Sequence, residues 1–531
     1  VPRFPLRHLC LGCLLILLWT GCRYERADLV FINGAEPETL DPALITGQPE
    51  GRIANALFEG LTTFDADGKP EPGVAERWEI TPDGKVYTFH LRANARWSNG
   101  DPVTAHDFRA SWERTLSPAT GSAYASQLYF IENAQAFNEG KLTEFSRVGV
   151  EAPDARTLRV TLVNPTAFFL DLCAFITLAP VHLPTVERYG DDWTKPAHLV
   201  GNGAYRLAAW RINDRIRLEK NPHYWNADKV ALRSVDALPI SDANTAFNFY
   251  ATGQADLTLD KGIVPTQFLD ELKKRPDCHT APFLGTYFLR FNCTRPPFDD
   301  ARVRRAVALV IDKELLVEKI TRLGEPPAAS MVPPGAGGYT PPPGLERDPE
   351  AARRLLAEAG FPGGEGFPRI SYLYSEGGLN RAIAVEIQAM LATELGIHID
   401  LAPQEWKVYL QSMNNLSYDL CRSSWVADYN DPNTFLSLFT THDGNNRTGW
   451  SSPEYDALIE AAAREPDAAR RLELFGKAER LLVSEAAPVL PLYFYIGVQL
   501  YDADRLGGIR PNLTDEHPLK AMFWKPREKR Q

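Results

Sequence analysis

The chain has 531 residues, a formal net charge of -11 and 24% charged residues. That length exceeds what one hydrophobic core supports, so two or three domains are expected. The acidic balance, with no basic run before the last few residues, argues against nucleic acid as a partner, because neutralising phosphates takes a clustered positive face.

Arg3, Arg7 and His8 precede a mostly apolar run, residues 9–19, and then Thr20-Gly21-Cys22. A membrane span takes about 20 apolar residues, and this run is shorter. It fits the apolar region of a secretory signal peptide, so residues 1–21 are expected to be one. The small pair before Cys22 resembles a bacterial lipobox, with Trp19 where Leu is usual, and Cys22 is the expected lipidation site. Four cysteines follow: Cys173, Cys278, Cys293 and Cys421. Export permits disulfides, and both a Cys278–Cys293 bridge and free buried thiols stay open. None of these four shows CxxC spacing, so neither zinc nor redox chemistry is indicated.

Residues 29–33 read as a buried strand, and 52–61 have helical apolar spacing. Short alternating strands run from Trp78 to Trp97, with VYTFHL the clearest, broken by the turn TPDGK. Thr104 to Thr115 is a helix candidate and 156–162 alternates as a strand. Residues 205–219 look like a hairpin turning at Asn213-Asp214. Asp299 or Asp300 can cap a helix through about Ile320, with Arg302, Arg304 and Arg305 on its polar face. Pro326 to Gly344 reads as an ordered loop. Asp348-Pro349 starts a helix that stops at Gly360. Asn380 to Leu395 is amphipathic, HIDLA follows as a strand, and 488–496 is an apolar strand. Alternating strands and helices make the class α/β.

Catalytic constellations are missing: there is no GxSxG, HExxH, GxxxxGK or GxGxxG. The His residues are scattered, and GNGAY and GAGG read as turns. Asp300 and Asp312 are better helix cap and exposed residue than paired acids. No catalytic residue, metal or cofactor is expected.

WVADYNDPNTF, Trp425 to Phe435, sets Asp428 and Asp431 among three aromatic rings. A carboxylate beside aromatics suits holding a positive group out of water. The residues alone leave open whether Asp428 serves an Arg of its own chain, a metal or a ligand. Asp431, before Pro432, reads as a turn former.

Several long segments, in order, carry a resemblance: LDPALITGQPE, LFEGLTTFDADGKPEPGVAERWEI, YTFHLRANARWSNGDPVTAHDF, VGNGAYRL, NPHYWN, PPFDDARVRRAV and WVADYNDP. In these the chain is similar to the oligopeptide-binding proteins of bacterial ABC importers, family 5 of the solute-binding proteins. The resemblance implies a two-lobed periplasmic-binding-protein fold (type II, cluster C) with an extra small domain. Lobe I would take 22–58, 184–284 and 495–531, the extra domain 59–183, and lobe II 285–494, with hinge crossings near Leu284 and Tyr495.

The resemblance also implies a role for each matching residue. Asp428 would receive the α-ammonium of a bound peptide, and the backbone at Trp425 and Val426 would pair with the peptide as an added strand. Arg422 would reach the peptide carboxylate. Asn380 stands where one branch of the family has His, so it can donate a hydrogen bond there but no charge. In ALITGQ, Thr46, beside Gly47, stands where an acid is common, which removes a ground for basic side-chain preference. Tyr124, Trp406 and Trp425 would line the pocket. The implied partners are a peptide, an ABC permease and its ATPase subunits, with contact to the membrane through a lipid anchor only, as a monomeric periplasmic or cell-envelope lipoprotein. Rival readings are a murein tripeptide, dipeptide, nickel chelate or haem on the same scaffold; a secreted hydrolase; and a chaperone or signalling receptor.

Overall fold

The computed structural model describes residues 25–259, 265, 268–376 and 378–526. The expected signal segment and Cys22 lie outside the described residues, as do the side chains of Gly378, Trp406 and Lys407. The fold is mixed α/β and two-lobed. Its largest sheet orders the strands Ile399–Gln404, Ile370–Ser375, Leu420–Val426, Cys278–Phe291, Val489–Tyr501, Leu257–Thr258, Leu29–Ile32, Ser234–Leu238, Arg215–Lys220 and Tyr205–Arg211. Cys278–Phe291 and Val489–Tyr501 have 14 and 13 residues and pair antiparallel with each other. Their register shifts between Pro282 and Thr286, where Gly285 sits against Tyr495. A Cβ at Gly285 would meet the Tyr495 ring at 2.6 Å, so only Gly lets the strands pass this closely.

Separate apolar clusters flank this sheet. One gathers Leu29, Phe31, Tyr205, Val235 and Leu257 with the helix Gln48–Leu57. Two lie on opposite faces of the other end, one around Tyr287, Leu289 and Ile383, the other around Phe288, Phe435 and Phe475. A fourth fills a four-stranded antiparallel sheet, Ala75–Ile80, Val86–Leu91, Thr157–Thr161 and Val150–Asp154, against the helix Ala105–Leu116. Thr104 and Asp107 form a capping box at the start of that helix.

Several elements depart from their sequence patterns. The first helix starts earlier than its apolar spacing, behind Gly47, and ends at Leu57. The helix capped by Asp300 stops at Val310 instead of running to Ile320. Ile311 turns extended, and Asp312 caps a new short helix by accepting from Leu315 N. Arg304 is buried, not on a polar face, because its guanidinium donates to the carbonyls of Phe298 and Ala486. The apolar run 488–496 is part of a strand that continues to Tyr501. Asp348 caps Pro349–Glu358, and Gly360 follows with φ 99°.

Cys173, Cys278, Cys293 and Cys421 are free thiols. Cys278 opens a 14-residue strand and Cys293 lies beyond its end, roughly 45 Å away at the usual strand rise. A disulfide needs Cα atoms within about 7 Å, so these two cannot pair. Among the described residues, no helix is long and apolar enough to cross a membrane, and no group of three His, Cys, Asp or Glu is placed to hold a metal.

Candidate functional site

The strand Leu420–Val426 pairs with Cys278–Phe291 along its whole length, but with Ile370–Ser375 only at Leu420 and Cys421. Among the described residues, its second edge has no strand partner from Arg422 onward. Ala427 N donates to Leu284 O at 2.8 Å, so alternation turns the peptide groups of Arg422, Ser424 and Val426 toward the open edge. The Tyr409 hydroxyl takes the Arg422 carbonyl at 2.6 Å. Ser424 and Val426 keep backbone groups suited to pairing with an extended chain.

Opposite charges stand at the two ends of this edge. Asp428, just past the strand, is largely enclosed by protein yet keeps part of its accessible surface. Its carboxylate accepts from Gln127 Nε2 at 3.1 Å, and no cation of the described residues pairs with it. Burial pushes its carboxyl up to about 7, and the Gln127 bond only partly offsets that. Asp431, three residues on, is different. It is buried and held by both Nη atoms of Arg471 at 2.7 and 2.8 Å, and it caps the turn through Asn433 N at 2.9 Å. Arg471 therefore neutralises Asp431, while Asp428 has no cation partner among the described residues.

Arg422 is the counterpart. Its guanidinium lies 4.8 Å over the Tyr287 ring and donates to the Tyr495 hydroxyl at 3.4 Å. No carboxylate of the described residues pairs with it, and its buried Nε has no partner. An unsatisfied buried donor on a cation asks for an anion. Six residues of extended chain put Arg422 and Asp428 at most ~20 Å apart at the Cα atoms, before their side chains shorten the gap.

The other candidates fall around these ends. Tyr124, part-buried, packs edge-on to Phe175 at 5.5 Å, and burial with the Asp428 charge raises its phenol. Its turn carries Gln127 to Asp428. Asn380 donates to Ser375 O and Oγ at 3.0 and 3.1 Å and accepts from the Tyr287 hydroxyl at 3.2 Å, so its amide braces the ring under Arg422. Trp425 is on the opposite strand face, packs on the Phe288 and Phe435 cluster, and donates to Thr434 Oγ1 at 3.3 Å. Val426 ends the strand opposite Gly285. Thr46 is exposed, and Gly47 is the N-cap of Gln48–Leu57. A Cβ at Gly47 would strike the Glu50 carboxylate, whose Oε1 takes Glu38 N at 3.1 Å. Trp406 begins the helix Trp406–Asn414. Gln127, Tyr287 and Tyr495 are contributors that sequence reasoning missed. A neutral amide and two tyrosines carry no motif, and only the fold brings them to the charged ends.

The model for bacterial extracellular solute-binding proteins, family 5 Middle, matches residues 69–447. The periplasmic oligopeptide-binding protein OppA of Salmonella typhimurium strain LT2 is 39% identical over 511 residues, covering 94% of this chain and 92% of its own. An oligopeptide-binding protein from Borrelia burgdorferi, OppAIV, superposes with a TM-score of 0.85 at 33% identity, covering 94% of this chain and all of that one. The Escherichia coli murein tripeptide binding protein MppA gives 0.84 at 37% identity, with 94% and 99% covered. Its unliganded open form gives 0.76 at 36% identity.

Proposed function

The chain belongs to family 5 of the bacterial extracellular solute-binding proteins, and we propose that it captures oligopeptides between its lobes for an ABC importer. The observation that carries this reading is Asp428: a largely enclosed carboxylate with a neutral donor and no cation partner among the described residues. Every unmodified peptide brings an ammonium, and a buried carboxylate is tolerated once it is paired and hydrogen-bonded.

The strand edge beyond Arg422 takes the peptide backbone, which ignores side-chain identity and so admits many sequences. Arg422, held between Tyr287 and Tyr495, takes the terminal carboxylate. Asn380 stiffens that end through Tyr287 instead of touching the ligand. Tyr124 closes the ammonium end. Lobe I, the small domain and lobe II divide as their sequence boundaries indicate, and the lobes turn on Pro282 to Thr286 and Tyr495, where the long strands change register. The receptor works as a monomer, is exported and tethered through a lipid on Cys22, and delivers its cargo to permease and ATPase subunits without chemical change.

Native mass spectrometry of protein purified from the envelope, followed by calorimetry with synthetic tripeptides, tests this. A co-purifying peptide mass that exchanges with added peptide is the expected result. A receptor that binds none of a varied peptide set, or that cleaves them during incubation, is not an oligopeptide receptor.

A further inference from the structure

Glu516 repeats the situation of Asp428 on the other lobe. Asn512 fixes its backbone: Asn512 Oδ1 accepts from Glu516 N at 3.1 Å, and Asn512 Nδ2 donates to Glu516 O at 2.8 Å. The neighbouring Asp515 is spent on Gln499 and His517. The Glu516 carboxylate has no hydrogen-bond or ion-pair partner among the described residues. Burial pushes it up to about 7, yet the residue keeps part of its accessible surface.

The surroundings of Glu516 lie at the carboxyl ends of two strands of the large sheet. Arg52, whose charge Glu516 feels, binds Asn33 at 3.1 and 2.6 Å and the Leu259 carbonyl at 3.5 Å. Asn33 and Leu259 follow the parallel strands Leu29–Ile32 and Leu257–Thr258, and ligands of open α/β sheets bind outside such carboxyl ends. The same loop reaches lobe II: Leu513 packs on the Phe288 cluster, and its carbonyl accepts from Leu284 N at the hinge crossing at 2.7 Å. Arg52 is hydrogen-bonded at the two strand ends, and it makes no bond to the Glu516 carboxylate.

We propose that Glu516 is a specificity-determining residue that receives a basic side chain, Lys or Arg, of the captured peptide. The inference rests on the peptide reading and adds to it an acid that meets a side chain instead of a terminus. A charge-assisted bond in an enclosed site favours lysine over an uncharged chain of equal length, while the strand-edge pairing of the peptide backbone stays the same.

The test measures affinity of wild type and Glu516→Gln for Lys-Ala-Ala, Ala-Lys-Ala, Ala-Ala-Lys and their three norleucine counterparts. Wild type should prefer lysine at one position by about tenfold or more, and the variant should bring that ratio near unity while the norleucine peptide binds as before. The Gln side chain keeps the volume, and the Asn512 bonds are to backbone, so the variant should fold; its melting temperature checks that. A preserved ratio in the variant, no lysine preference at any position in wild type, or an equal loss for all six peptides overturns the assignment, the last because Glu516 would then serve Arg52. Binding of none of the six peptides by wild type overturns the peptide reading itself.

Discussion

Gln127 donates to Asp428 Oδ2 at 3.1 Å, although the two residues are 301 positions apart and Gln127 belongs to the small antiparallel unit. A neutral amide fixes the direction of the carboxylate without cancelling its charge. Tyr429, next in the chain, stacks on Phe168 of the same unit at 4.0 Å, so the loop bearing Asp428 is clamped against that unit.

This environment predicts a pH dependence. Burial raises the Asp428 carboxyl to about 7, well above the ordinary ~4. Between those values the folded chain holds a proton that the unfolded chain has lost. The Asp428 contribution to stability is therefore most favourable below pH ~4, declines as pH rises to ~7, and is level above that. An ammonium needs the ionised form, so capture near pH 6 should expel about one proton. Affinity for free-amine peptides should fall about tenfold per unit below pH 7. Calorimetry in buffers of different ionisation enthalpy measures the proton directly. No buffer dependence at pH 6 would mean that the carboxylate is already ionised without ligand.

Asp431 carries the opposite expectation. Its two bonds to Arg471 are almost fully buried, with side-chain exposures of 6% and 12%. Asp431→Asn leaves an uncompensated buried guanidinium and should cost about 3–5 kcal/mol of unfolding free energy. Denaturant titration should register the loss as a lower midpoint. Affinity of the protein that remains folded should change little, since Asp431 is already paired with Arg471 and Asn433 N. A large affinity loss without destabilisation would reverse the roles of the two acids.

How far the sequence could be read follows from distance along the chain. WVADYNDPNTF marks two acids beside rings, a local pattern, but which acid is spare depends on Arg471, 40 residues downstream, and Gln127, 301 upstream. Capped helices such as Pro349–Glu358 were legible because Asp, Pro and Gly act within a few residues. The helix begun at Asp300 was misread as one long element. Its apolar spacing continues past Ile311, and the break comes from Asp312 capping a second start. Cys278–Phe291 drew no strand reading, because its first half, CHTAP, lacks alternation and is ordered by pairing with 496–500. Glu516 sits in a loop without periodicity, and only burial without a side-chain partner among the described residues marks it out.

Arg422 should discriminate the other terminus. Its Nε is buried without a partner and its charge is countered by no carboxylate of the described residues. Replacing a free C-terminal carboxylate by an amide should weaken binding about tenfold or more, because the guanidinium then meets a neutral group. Arg422→Gln should remove that difference, with the amidated peptide little affected. Surface plasmon resonance on the four pairs reads it as dissociation rate. An unchanged preference for the free carboxylate in the variant would move the anion site elsewhere in the cleft.

The ammonium site allows the most stringent check. Acetylating the peptide amine leaves Asp428 buried and unpaired, which costs roughly 3–5 kcal/mol, a loss of more than about a hundredfold in affinity. Asp428→Asn keeps the shape and the capacity to accept from Gln127, but removes the charge. It should weaken free-amine peptides strongly and acetylated ones little, so the gap between the two peptides narrows. Calorimetry on both proteins with both peptides closes a double-mutant cycle, and the coupling term isolates the carboxylate–ammonium pair from any general damage to the cleft. Asp431→Asn, run in parallel, should leave the gap intact. A coupling near zero in a folded Asp428→Asn protein would assign the residue to holding the small unit through Gln127, and the ligand's positive charge would have to be met elsewhere.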